Sequence, residues 1–296
     1  MILCAVDLRL VLPGLLCHNI DALSMYAARQ SGMDADLIIE ALRTFGTEED
    51  PEAARVSEYD ISRLLEYLKE EGIESETIAL LEWRYLPLLH DESRTLALES
   101  LLARNPRTFV ELVELVFRRA NEDADSEPRN VNPTLASNAY RLLREWRIVP
   151  GPEDGTVDGV ALNEWLEEAR RLLAEADRIE VGELQIGEVL AHAPEDPDGT
   201  FPTLPVRDVL EAAPNYRLER GFRIGLFNKT GITSRGLTDG GQQEYDVAAK
   251  YESWAGAVQA THPRTASALR DVADSYRDEG RRNDEEARRF LEGLDL

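Results

Sequence analysis

The chain has 296 residues, of which 43% are apolar and 30% charged, with a formal net charge of -24; this is the make-up of a globular protein with a real core, not of a disordered one. Such an acidic balance argues against nucleic acid or an anionic membrane as a partner for the surface as a whole. Cys4 and Cys17, the only cysteines, give no disulfide framework and point to a reducing compartment.

The opening MILCAVDLRLVLPGLLC is apolar but does not read as a signal peptide. It has no basic start, and Asp7, Arg9 and Pro13-Gly14 interrupt it. No run reaches the ~18 apolar residues of a membrane span, so a cytoplasmic protein is expected. Residues 1–17 read as an incomplete element whose apolar side expects a partner, such as an upstream domain. Short amphipathic helices follow at 20–31 and 34–45, the second starting at Asp34. Ser57 or Asp60 caps another, with Ile61, Leu64, Leu65 and Leu68 at helical spacing and Gly72 at its close. Ser75–Leu86 and Ser93–Arg104 come next. Asn105 as N-cap with Pro106 at the first helical position then opens a helix bearing Phe109, Val113, Val116 and Phe117 on one face.

The polar, acidic, proline-bearing stretch 121–133 is a candidate boundary, dividing an N-terminal helical array (1–120) from a C-terminal helical domain (133–296). Pro133–Trp146 is helical, and VPGPEDG at 149–155 is a turn. Asp158 caps the most regular helix, with Leu162, Trp165, Leu166, Ala169, Leu172 and Leu173 on one face. Helices at 179–193 and 206–213 flank a proline-rich acidic loop. Asp239 and Gln242 form a capping box for a helix carrying Val247, Tyr251, Trp254, Ala255 and Val258. A last helix starts near Pro263, buries Ala266, Leu269, Val272 and Tyr276, and gives way to a solvated charged tail after Gly280. The expected fold is mostly α: an irregular, solenoid-like antiparallel helical array.

Against this background the segment 215–241 stands out. It carries Arg217, Arg220, Arg223, Lys229 and Arg235, with glycines at 221, 225, 231, 236, 240 and 241. Phe222, Ile224 and Leu226 alternate as in a strand. Gly221 and Gly225, however, lie four apart, where missing side chains on one helix face allow close backbone approach, and the helical surroundings favour a helix. Two readings of the charges are open. Arg220, Arg223, Lys229 and Arg235, with Asp239 at a helix start, can form an anion site, or the guanidiniums pair internally, for example with the acids of the preceding segment 195–211.

Spacing rejects several chemistries. A phosphate loop ahead of Lys229-Thr230 lacks its glycines, with Arg223 and Asn228 in their place. A nucleophile elbow at Ser234 has Ile232 where glycine is required. The sequence from Asp154 to Asp158 lacks the flanking ligands of a calcium loop. His18, His90, His192 and His262 have no partner at zinc-site spacing, so no metal and no cofactor are expected. Trp83, Tyr85, Trp146, Trp165 and Trp254 sit among helix-face apolar residues and read as core.

Two regions, LEWRYLPLL with NPRTFVELVELVF (within 81–117) and VGELQIGEVLAHAPEDPDGTFP with RGFRIGLFNKTGITSRGLTDGGQQEYDVAAKYESW (within 181–254), resemble the C-terminal helical region of long bacterial multidomain proteins. Some of those look like antiphage-defence ATPases. The resemblance implies a chain that works with an upstream domain or a protein partner, and it carries over no catalytic residue, since the ATPase motifs are absent here. The expectation is a non-enzymatic helical interaction module. The alternative is an enzyme or binding protein for a phosphorylated small-molecule anion.

Overall fold

The computed structural model describes residues 20, 24, 34–44, 57–89, 95–121, 131–153, 155–229 and 240–293. They are overwhelmingly helical, and they fall into two compact units, 1–101 and 102–296.

In the first unit, α1 (Ala35–Thr44), α2 (Glu58–Glu70) and α3 (Ser75–Tyr85) are followed by α4 (Leu96–Arg104), within which the unit boundary lies. The Ser57 hydroxyl accepts from the Asp60 amide at 3.3 Å and starts α2. Gly72, at φ 75°, closes it in the left-handed region that glycine enters without strain. Ile38, Leu42, Ile61, Leu64, Leu68 and Leu81 form the core, and the Tyr85 hydroxyl donates to the Leu42 carbonyl at 2.7 Å across it. Glu82, 1% exposed, meets Lys69 Nζ at 2.9 Å and accepts from the Leu98 amide at 2.8 Å, so a carboxylate of α3 caps α4.

The second unit contains α5 (Pro106–Val116), α6 (Pro133–Glu145), a two-stranded ribbon of β1 (Pro152–Glu153) and β2 (Thr156–Val157), and six further helices. These are α7 (Gly159–Glu175), α8 (Ile179–Leu190), α9 (Leu204–Ala212), α10 (Tyr216–Lys229), α11 (Gln242–Val258) and α12 (Pro263–Leu291). Asn105 and Asp158 cap α5 and α7 from the positions the sequence marks. Helix α5, grouped by sequence with residues 1–120, packs on α6 and α7 in the second unit. The cause is aromatic: Phe109 of α5 lies 5.5 Å from Trp146 and 5.3 Å from Trp165, ring centre to ring centre, and all three are buried.

Two pairings organise the rest. Helices α8 and α10 run parallel, with contacts repeating every turn: Glu180 to Arg217, Leu184 to Gly221, Glu188 to Gly225. Helices α11 and α12 form an antiparallel hairpin. Helix α12 continues unbroken for 29 residues, so the charged tail expected after Gly280 is instead helix, with Asn283 and Ala287 buried. Gly280 is a contact point and not a stop. A side chain there would strike Tyr245, and one at Gly241 would strike the Gly280 backbone.

Candidate functional site

The segment from Tyr216 to Lys229 is a helix, and its glycines explain how closely it packs on α8. A methyl group on Gly221 would overlap the Leu184 carbonyl, and one on Gly187 would come within 2.7 Å of the Phe222 nitrogen and 2.9 Å of Gly221 Cα. One on Gly225 would stand 2.5 Å from the Glu188 carbonyl. With Leu218, Phe222 and Leu226 buried beside them, these glycines seat α10 against α8, backbone on backbone. The opposite face is only partly covered, by α12. Tyr216, Arg220, Arg223 and Phe227 recur at intervals of four, three and four residues and therefore share one stripe. Tyr216 is 65% exposed and Phe227 45%. Phe227 is braced by stacking on Tyr276 of α12, 5.2 Å between ring centres.

Of the sequence-predicted residues, the three that are described, Arg220, Arg223 and Lys229, do not converge. Arg223 pairs with Asp271 of α12 at 2.5 Å, at the edge of an open groove of about 330 Å³ lined by Ile224, Phe227, Val272 and Ser275. An anion entering that groove would meet the Asp271 carboxylate as well as the guanidinium. Lys229 points the other way, with its ammonium 3.4 Å from the Ala191 carbonyl and 5.0 Å from the centre of the Phe201 ring. Arg220 is exposed and has no ion-pair partner among the described residues. Arg235 and Asp239 lie outside the described residues. Internal pairing is present, but with other partners than those expected: Arg217 takes Glu180 and Arg223 takes Asp271. The acids of 195–211 are engaged elsewhere, Glu195 with Lys250, Asp196 with Arg207 and Asp208 with His262.

The helix start at the end of the glycine-rich segment is also taken. The N-cap of α11 is Gly241, with no cap from its own side chain. The capping group is Asp284 of α12, which accepts from the Gly241 amide and from the Tyr245 hydroxyl, each at 2.8 Å. Gln242 is thereby the first helical residue and not the third, as the expected capping box requires, and its expected partner Asp239 lies outside the described residues. The same device recurs: Glu211 of α9 accepts from the Thr265 amide in the first turn of α12 at 2.8 Å, and Asp196 from the Leu204 amide at the start of α9 at 3.2 Å. With Glu82 on α4, four helix starts are held by carboxylates other than their own N-cap side chains, Asp196 from the adjoining loop and the other three from other helices. Anions are attracted to helix N-termini, and in this acidic protein these four already have them.

The Gly241 amide, and then the Tyr245 hydroxyl, hold the Asp284 carboxyl below its usual range. A depressed folded-state pKa contributes stability above the unfolded value, about 3.9, and loses it as pH falls through the folded one. Asp284→Asn should therefore melt below the wild type at pH 7, and the gap should close on acidification below about pH 4. Thermal melts of both proteins between pH 3 and 7 test this, and a gap independent of pH would refute the ionic cap.

A further polar cluster was invisible in the sequence because its members are distant. His262 Nε2 lies 3.1 Å from Asp208 Oδ1, and its Nδ1 lies 2.8 Å from the Thr261 hydroxyl. The order of acid, imidazole and hydroxyl suggests a catalytic relay. However, the Asp208 side chain is 62% exposed, whereas a relay buries its acid, and Thr261 also reaches the Val258 carbonyl. The cluster ties α9 to the start of α12. Among the described residues, no group of three His, Cys, Asp or Glu side chains is placed to hold a metal ion, and no helix is long and apolar enough to cross a membrane.

Compared with protein-family models, curated proteins and solved structures, the chain shows no significant match to any of them.

Proposed function

We propose that the chain is a non-enzymatic helical interaction module, and that the outward stripe of α10 is the face it offers a protein partner. The observation that carries this reading is the dispersal of the basic side chains. Arg217, Arg223 and Lys229 are engaged on different sides of α10, whereas an anion-processing enzyme needs them in one concave pocket with a base inside it. What remains outward is Tyr216, Arg220 and Phe227, and tyrosine and arginine are the residue types that most often dominate binding energy at protein interfaces. They stand on a helix whose backbone is locked to α8, so little ordering cost attends docking. The resemblance to helical regions of bacterial multidomain proteins supports a partner that is itself a protein or an upstream domain.

The test is affinity capture with quantitative mass spectrometry, comparing the wild type with a Tyr216→Ala, Arg220→Glu variant. Both side chains are exposed, so circular dichroism and melting should be unchanged. Specific partners should fall at least about tenfold, as loss of about 1.4 kcal/mol of binding energy gives. A folded variant with the same partner list would end the proposal.

A further inference from the structure

Helices α10 and α12 run side by side in the same direction. Arg223 meets Asp271, and one turn on Phe227 stacks on Tyr276, whose hydroxyl donates to the Phe227 carbonyl at 3.3 Å. Between these contacts lies the open groove of about 330 Å³, walled mainly by Ile224, Phe227 and Val272, with Asn228 and Ser275 also lining it. One turn before the groove, on the same face of α10, stands Arg220, and Tyr216 lies one turn before that. The basic residues of α10 differ in their commitments. Arg217 has Glu180, Arg223 has Asp271, and Lys229 has the Ala191 carbonyl and the Phe201 ring, whereas Arg220 has no such partner among the described residues. From Tyr216 to Phe227 the face runs for about 16 Å, roughly three turns.

We propose that the partner brings an amphipathic helix to this face, laying apolar side chains into the groove and a carboxylate against Arg220; the proposal rests on α10 being the docking face. Spacing selects a helix. The docking positions on α10 recur every three or four residues, and a second helix alongside offers side chains at the same intervals. Backbone chemistry selects it too. Among the described residues no strand borders the groove, so an extended segment finds no backbone groups to pair with, whereas a helix arrives with its own satisfied. Charge selects the acid. An exposed pair with Arg220 adds little affinity. In a chain of net charge -24, however, an acidic edge is repelled by most of the surface, so the one pair fixes where the helix settles and in which register.

The experiment pans a phage-displayed library of random peptides, each about 18 residues or five helical turns long, against the whole protein and against Arg220→Glu. Peptides enriched on the wild type should carry apolar residues three and four apart, with an acid at a fixed distance from them. On Arg220→Glu the apolar spacing should persist while the acidic position turns basic. Ser275→Arg fills the groove from an exposed position, so it should leave melting unchanged and weaken an enriched peptide at least about tenfold in fluorescence anisotropy. No enrichment, enrichment without helical spacing, an acid that Arg220→Glu does not reverse, or binding that survives Ser275→Arg overturns the proposal. If Tyr216→Ala, Arg220→Glu still loses its captured partners in that event, α10 remains a docking face and only its helical occupant falls.

Discussion

Gly221→Ala should destabilise the 102–296 unit by about 2 kcal/mol, an overpacking cost of about 3 less about 1 gained in helix propensity. For a unit of this size that lowers the melting midpoint by roughly 4–8 °C. The sign is the informative part. Alanine improves an ordinary helix, so without the close approach of α8 and α10 the substitution would raise the midpoint. Here the added methyl would overlap the Leu184 carbonyl, and the helices would have to separate. Gly187→Ala, on the facing helix, should behave alike, and the two together should cost less than their sum, since one separation accommodates both. Gly256 is the control. It is also helical, in the last turn of α11, but nothing lies within 4 Å of where its methyl would go, so Gly256→Ala should not destabilise and should stabilise by some fraction of the about 1 kcal/mol that separates the two residues in a helix interior. Melting curves for the three variants decide the matter, and a stabilised Gly221→Ala would remove the welded pair from the description.

Phe109→Ala should cost more, about 3–5 kcal/mol. Phe109 is fully buried between Trp146 and Trp165, which are themselves 5.9 Å apart, and the Trp165 indole donates to the Leu102 carbonyl at 3.0 Å. Truncation opens a cavity walled by two large rigid rings that cannot collapse into it. The midpoint should fall by roughly 6–20 °C. Since two of the chain's four tryptophans flank the cavity, their emission should shift to the red if water enters. Denaturant unfolding followed by fluorescence measures both effects, and a loss under 1 kcal/mol would mean that the triad is not the packing centre of this unit.

The contrast between what the sequence disclosed and what it concealed follows from range. Helix starts with a local cap were legible, because Ser57, Asn105 and Asp158 act on amides two or three residues away. The buried face of α7 was legible for the same reason: periodicity alone places Leu162, Trp165, Leu166, Ala169, Leu172 and Leu173 together, and all six are buried. Gly221 and Gly225 announced a close approach by their spacing, but not what approaches, since Leu184 and Glu188 come from another helix. Caps supplied by Asp284 and Glu211 come from 43 and 54 residues away and leave no local mark. Gly280 misled because a glycine near a charged run usually ends a helix, whereas here it admits Tyr245. Of the candidate site, the basic residues of α10 were visible in advance and their partners were not.

The borrowed caps bear on how the molecule folds. A helix that carries its own cap can begin to form alone, whereas α11 has a glycine at its threshold and the stabilising carboxylate sits two turns before the far end of α12. Its first turn is therefore secured only once the hairpin has closed, and closure in turn needs the Gly241–Gly280 contact. Secondary and tertiary structure in this hairpin should consequently appear together, in one cooperative step, with the amide of Gly241 among the last in the hairpin to gain protection from solvent exchange.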